Sequence, residues 1–193
     1  HLLGTDNLGY DILARIIHGS RIALSVGIVA MGIAALIGLL LGSLAGYFGG
    51  TVDILISRFI EIVICFPLLF LILTVLAFLP PSIYNIMIVI GITGWTGIAR
   101  LVRGEILKVR EMDYVKAARA AGYPDRRILA RHVLPNALAP VFVSVSFGIA
   151  GSILTETALS FLGFGVQPPD PSWGQILSLA REYPSRIWFT IFP

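Results

Sequence analysis

Asp113–Asn136, DYVKAARAAGYPDRRILARHVLPN, is a polar and basic island between long apolar runs, and its reading decides the fold. Ala117, Ala118, Ala120 and Ala121 favour helix, and Asp113 is placed to cap the start by accepting a backbone N–H. Gly122 supplies a left-handed stop. Pro124 fits the first turn of a second helix, where its missing N–H costs nothing, and Pro135 closes that helix. The stretch reads as a short soluble helix-turn-helix set inside a far greasier chain.

Of the 193 residues, 56% are hydrophobic and 13% charged, against roughly 25% charged in soluble domains. With a mean hydropathy of +0.89, the fold class is all-α, a polytopic transmembrane helical bundle. His1 opens the sequence and an apolar run, Ile187 to Phe192, starts just before it stops. A single transmembrane domain over 1–193 is therefore expected as a fragment, with no signal peptide in view. The lone Cys65 permits no internal disulfide. A net charge of +3 raises nucleic acid as a partner, but the charges flank apolar runs, so membrane is expected and nucleic acid is not.

Working outward, Ile22 to Phe48 carries no charge, and about 20 apolar residues cross the hydrocarbon core. This is a first span, with Gly38, Gly42, Gly46 and Gly50 at four-residue intervals as a groove where another helix packs closely. Ahead of it, Ile12, Leu13, Ile16 and Ile17 stripe a short helix from Tyr10 to His18, expected along the membrane surface. Beyond a turn at Gly49, Gly50 and Asp53, Ile54 to Leu79 reads as a second span containing Pro67. Its Arg58 and Glu61, at i and i+3, pair on one face, and intramembrane charges are functional candidates by default.

Pro80 and Pro81 break the chain before a third span, Ser82 to Ala99. A fourth, Leu134 to Thr155, continues through Glu156 towards Phe161. Glu156 is a candidate for the pathway, for a neighbouring subunit or for the membrane edge. In the 163–186 loop, Pro168, Pro169 and Pro171 fix an extended turn ahead of a helix from Trp173 to Arg181, with Trp173 suited to anchoring at the interface.

Between Gly104 and Asn136 lie Lys108, Arg110, Lys116, Arg119, Arg126, Arg127 and Arg131; with Arg100 and Arg103 they make nine of the fourteen basic residues. The positive-inside rule puts the 104–136 loop in the cytoplasm and the 163–186 loop outside. No catalytic constellation is present: the three histidines are scattered, no metal-ligand spacing occurs, and there is no GxxxxGK[ST] phosphate loop. If transport uses ATP, another chain binds it.

Lys116-Ala-Ala-x-x-x-Gly122, followed after nine residues by His132-Val-Leu134-Pro135, resembles the coupling motif of ABC importer permeases, usually EAA, three residues, G, nine residues, I, any residue, LP. The spacing is intact; Lys116 replaces the usual Glu and His132 the usual Ile, so a role for that carboxylate does not carry over. GTDNLGYDILARIIHGSRIALSVG near the start and LSFLGFGVQPPDPSWGQIL near the end are similar to sequences of the dipeptide, oligopeptide and nickel branch. The resemblance implies a six-span inner-membrane subunit of a prokaryote whose first span is missing here and whose last is cut off. It implies pairing with a second homologous permease, two ATPase subunits carrying ATP and Mg, and an extracytoplasmic substrate-binding protein. Lys116, Ala117, Ala118, Ala121, Gly122, His132, Leu134 and Pro135 would dock the ATPase, the small side chains letting a partner helix or groove come close. Two other classes stay open: an ion-gradient-driven secondary transporter using Glu61 and Glu156, and a membrane scaffold without transport.

Overall fold

The computed structural model describes residues 2–6, 9–166, 170–183 and 186–192. Among them the chain is helical, without strands, in the order α1 (Ile12–Phe48), α2 (Gly50–Ile64), α3 (Leu68–Ala77), α4 (Ile83–Val109), α5 (Asp113–Ala120), α6 (Asp125–Ile128), a π-helical turn (Leu129–Val133), α7 (Leu134–Phe161), α8 (Trp173–Glu182) and α9 (Trp188–Ile191). Three uninterrupted helices, Ile12–Phe48, Ile83–Val109 and Asp125–Phe161, are long and apolar enough to cross a membrane, and α2 with α3 makes a fourth, broken candidate.

Several expected boundaries move. The surface helix Tyr10–His18 and the first span are one helix, α1, of 37 residues. No breaker separates them, and Gly19 is held mid-helix by packing: a Cβ there would lie 3.0 Å from Trp173 Cδ1. The second span is not continuous. Pro67 has no N–H and its ring crowds the carbonyl four residues back, so α2 stops at Ile64 and α3 starts at Leu68. The third runs past Ala99 to Val109. The turn expected at Pro168 and Pro169 lies outside the described residues, as does His1.

The described residues form two compact units. The first comprises His1–Met31, Leu69–Gly91 and Gly148–Pro193. Val26, Ile72, Leu76, Ile86, Ile90 and Leu159 belong to its main apolar core. Ile12, Ile176 and Phe189 form a smaller cluster where α8 and α9 meet the start of α1. Polar ties surround it: Arg15 pairs with the buried Asp6 and donates to Gln175 Oε1 at 3.1 Å, and Arg186 donates to the Thr5 carbonyl at 2.9 Å. Trp173 turns its ring onto Gly19 and donates its indole N–H to the Ile16 carbonyl at 3.0 Å.

The second unit comprises Gly32–Leu68 and Ile92–Phe147. Here the glycine groove of α1 meets α4 backbone to backbone. A Cβ on Gly38 would lie 2.7 Å from Ile98 Cβ, on Gly42 2.5 Å from the Ala99 carbonyl oxygen, and on Gly46 2.9 Å from that of Arg103. Gly50 lies beyond the helix end, in open space at φ +53. Below the groove, Arg103 makes a two-pronged ion pair with Asp53, its Nη2 donating to Oδ2 at 2.7 Å, a geometry with strong directional preference.

Gly42→Val should lower stability by about 1–3 kcal/mol, because the carbonyl it would strike belongs to a packed backbone. Gly32→Ala, whose new methyl meets nothing within 4 Å, should be neutral to slightly stabilising. Thermal denaturation of the two variants in detergent distinguishes them, and equal melting would contradict the close approach.

Candidate functional site

α5 begins at Asp113, but the capping position is Met112 in extended geometry, and no side chain caps the end. Asp113 is therefore a first-turn acid favoured by the helix dipole rather than the expected cap. At the other end the stop is as expected. Gly122 sits at φ +78, its N–H reaches the Arg119 carbonyl at 3.0 Å, and the Tyr123 N–H reaches that of Ala118 at 3.2 Å. This pair of reversed bonds is a Schellman closure.

Pro124 occupies the position before α6 in extended geometry, so the helix starts at Asp125. Pro135 does not close it. The chain passes from α6 through the π turn into α7, and Pro135 sits at the second position of α7. A proline in a regular helix would crowd the Arg131 carbonyl and leave it without a donor. The π turn opens the spacing just ahead, with the Leu134 N–H bonded back to the Leu129 carbonyl. Asn136 Nδ2 then donates to the His132 carbonyl at 2.7 Å.

The hairpin has distinct inner and outer faces. Val115 and Ala118 are buried, whereas Lys116, Ala117, Arg119, Ala120, Ala121 and Gly122 are exposed. Ala118, expected among the docking residues, is 7% exposed and packs inward; it lies three residues after Val115, on the same inward stripe. Lys116 Nζ lies 4.0 Å from the Glu111 carboxylate and both stay in contact with solvent. His132 is half-buried, its ring stacked on Tyr123 with centroids 6.1 Å apart. Arg127 covers Tyr123 at 4.5 Å. Leu134 is half-buried and Pro135 exposed.

The other candidates do not gather here. Gly38, Gly42 and Gly46 face α4, as described. Arg58 and Glu61 pair at 2.6 Å on an exposed face of α2. Glu156 is wholly buried in the first unit, where Ser160 Oγ donates to its Oε1 at 2.6 Å. Among the described residues no cluster of His, Cys, Asp or Glu is arranged to hold a metal ion.

Tyr47, not singled out from the sequence, joins the hairpin to the end of α1, and Arg110, named there only among the basic residues, joins the end of α4 to it. Tyr47 donates its hydroxyl to Asp125 Oδ1 at 2.7 Å. Arg110, at the end of α4, donates to the carbonyls of Gly46 at 2.9 Å and Tyr47 at 3.3 Å, occupying acceptors that the last turn of a helix otherwise leaves open. A cavity of about 590 Å³ lies among Tyr47, Arg110, Arg119, Tyr123 and Asp125.

The family described as binding-protein-dependent transport system inner membrane component matches residues 38–192. The dipeptide transport system permease protein of Alkalihalophilus pseudofirmus is 42% identical, over 100% of this chain and 64% of the relative. The oligopeptide transport system permease protein of Haemophilus influenzae is also 42% identical, over 100% of this chain and 62% of the relative. The chain thus spans less than two thirds of the length of these relatives. Among solved structures, the MetNI methionine ABC transporter in inward-facing conformations superposes with a TM-score of 0.78 over 93% of this chain and 88% of that one. At 15% identity this likeness speaks for the fold alone.

Gly122→Ala should destabilise the hairpin turn by about 1–2 kcal/mol, the cost of a left-handed residue that has a Cβ. Thiol labelling tests the two faces: cysteines at Ala117 and Ala121 should react readily and one at Ala118 slowly, and equal rates would contradict the inward placement of Ala118.

Proposed function

The chain belongs to the family of binding-protein-dependent transport system inner membrane components, and we propose that it is the permease subunit of an ATP-driven importer of dipeptides and oligopeptides. Peptides are favoured over nickel because the relatives 42% identical to it are named for dipeptide and oligopeptide transport. In this reading the 104–136 loop is cytoplasmic and its hairpin docks on one of two ATPase subunits, which hold ATP and Mg. A second homologous permease completes the membrane pathway, and an extracytoplasmic binding protein delivers the substrate. The chain itself carries out no hydrolysis.

One observation carries the proposal. The hairpin's second helix continues without a loop into an apolar helix ending at Phe161, as one uninterrupted element, Asp125–Phe161. A partner that moves the hairpin therefore moves the membrane helix directly, which is what conversion of ATPase closure into alternating access requires. Ala117, Ala121 and Gly122 present small exposed surface to that partner, Lys116 and Arg119 add positive charge, and His132, Leu134 and Pro135 form the root that holds the docking face in place.

In a reconstituted complex, a cysteine at Ala121 should cross-link to a cysteine in the hairpin-binding groove of the cognate ATPase. Gly122→Pro, which removes the N–H bonded to Arg119 and forbids a positive φ, should abolish uptake while leaving membrane insertion intact. Peptide uptake that persists without any ATPase subunit and collapses with the proton gradient would replace this reading with secondary transport.

A further inference from the structure

The hairpin is joined to long helices through the chain at both ends, by the link 110–112 after α4 and by the unbroken helix Asp125–Phe161. A side-chain bond to α1 adds a further tie, and nothing in the coupling motif accounts for it. Tyr47, in the last turn of α1 and 6% exposed, is separated from Asp125 by 78 residues, yet its hydroxyl donates to Oδ1 at 2.7 Å. Asp125 is the first residue of α6, directly after the hairpin turn. Both residues line the open pocket of about 590 Å³, so the bond spans the turn beside open space.

The end of α1 is also fixed to α4. Arg110 reaches the carbonyls of Gly46 and Tyr47, a cation at the negative end of the helix dipole. At Gly46 the backbones of α1 and α4 are in close contact, with the Arg103 carbonyl oxygen 2.9 Å from where a Cβ would stand. The last turn of α1 is therefore a rigid seat. A rigid seat bonded to the first residue of α6 passes a push on the hairpin into α1 as well as into α7.

We propose that Tyr47 and Asp125 are positioning residues forming a strut through which displacement of the docked hairpin is transmitted to α1. The inference rests on the ATPase-docking reading above and adds to it a further line of transmission that uses no residue of the coupling motif. Tyr47 and Asp125 need not touch substrate or ATP. Their bond must hold while the hairpin moves, which a short bond from a neutral hydroxyl to a carboxylate is suited to do.

The test uses the full-length chain assembled with its partner permease, ATPases and binding protein in proteoliposomes, measuring uptake and ATP hydrolysis together. Tyr47→Phe removes only the hydroxyl, and uptake per ATP should fall roughly fivefold to tenfold while hydrolysis continues. Asp125→Ala should do the same, Asp125→Asn, which still accepts the bond, should stay close to the parent, and Tyr47→Phe with Asp125→Ala should be no worse than either alone. Unchanged uptake per ATP in Tyr47→Phe and Asp125→Ala would overturn the strut, as would Asp125→Asn falling as far as Asp125→Ala. Losses that multiply in the double variant, or variants that fail to assemble with the ATPase, would overturn it too. If the parent complex shows no ATP-driven uptake, the docking reading itself fails before any substitution is made, and the strut fails with it.

Discussion

The backbones of α1 and α4 touch along Gly38, Gly42 and Gly46, and the second unit depends on that contact. In a bilayer, lipid tails are as apolar as leucine, so no hydrophobic force draws two helices together. What remains is close packing and hydrogen bonding, and both need short distances. With no Cβ at Gly42, the Ala99 carbonyl oxygen approaches to within 2.5 Å of where one would stand. That approach brings the polar groups below it into range. Arg103 grips Asp53 with two nitrogens, and Arg110 reaches the open carbonyls at the end of α1. Had larger residues separated the helices, these side chains would have needed to extend further into a region with few other partners.

The second constraint is the proline at 135. A proline in this place normally ends a helix or kinks it. Here the chain widens by one residue per turn over Leu129–Val133 before the proline arrives, so the helix survives the missing donor. A hairpin hinged at Pro135 could swing without moving the membrane helix; one continuous with it cannot. Opposite it, α5 follows α4 after the short link 110–112, so both limbs of the hairpin are closely joined to long helices.

Features that depend on nearest neighbours were readable in the sequence. Long uncharged runs, the four-residue glycine period, the Arg58–Glu61 pair and the left-handed turn at Gly122 all follow from spacing within one or a few turns. Boundaries fared less well, because local signals at Pro135 and Asp113 were overridden by their surroundings: a π turn and an extended Met112. The ties that organise the site were not readable. Asp53 and Arg103 are 50 residues apart and Tyr47 and Asp125 78, and no local rule pairs residues at such separations. Ala118 shows an intermediate case, since its three-residue spacing from the apolar Val115 was a signal for an inward face that the motif's own pattern obscured.

The departures from the family's usual motif differ in burial, Lys116 being exposed and His132 half-buried. His132 stands where an isoleucine is usual, and it stacks on Tyr123, which in turn lies under Arg127. The turn is thereby clasped at its surface by a three-membered stack, in which a polar ring stands in for an aliphatic one. Lys116 stands where a glutamate is usual, and it is exposed, as Ala117 and Ala121 are. One change alters how the hairpin keeps its shape, and the other alters the charge it shows. Because the Schellman closure at Gly122 and the inward packing of Val115 and Ala118 use neither position, the fold of the hairpin tolerates both changes. Within the chain the charge at 116 is met by Glu111, whose carboxylate lies 4.0 Å from Lys116 Nζ.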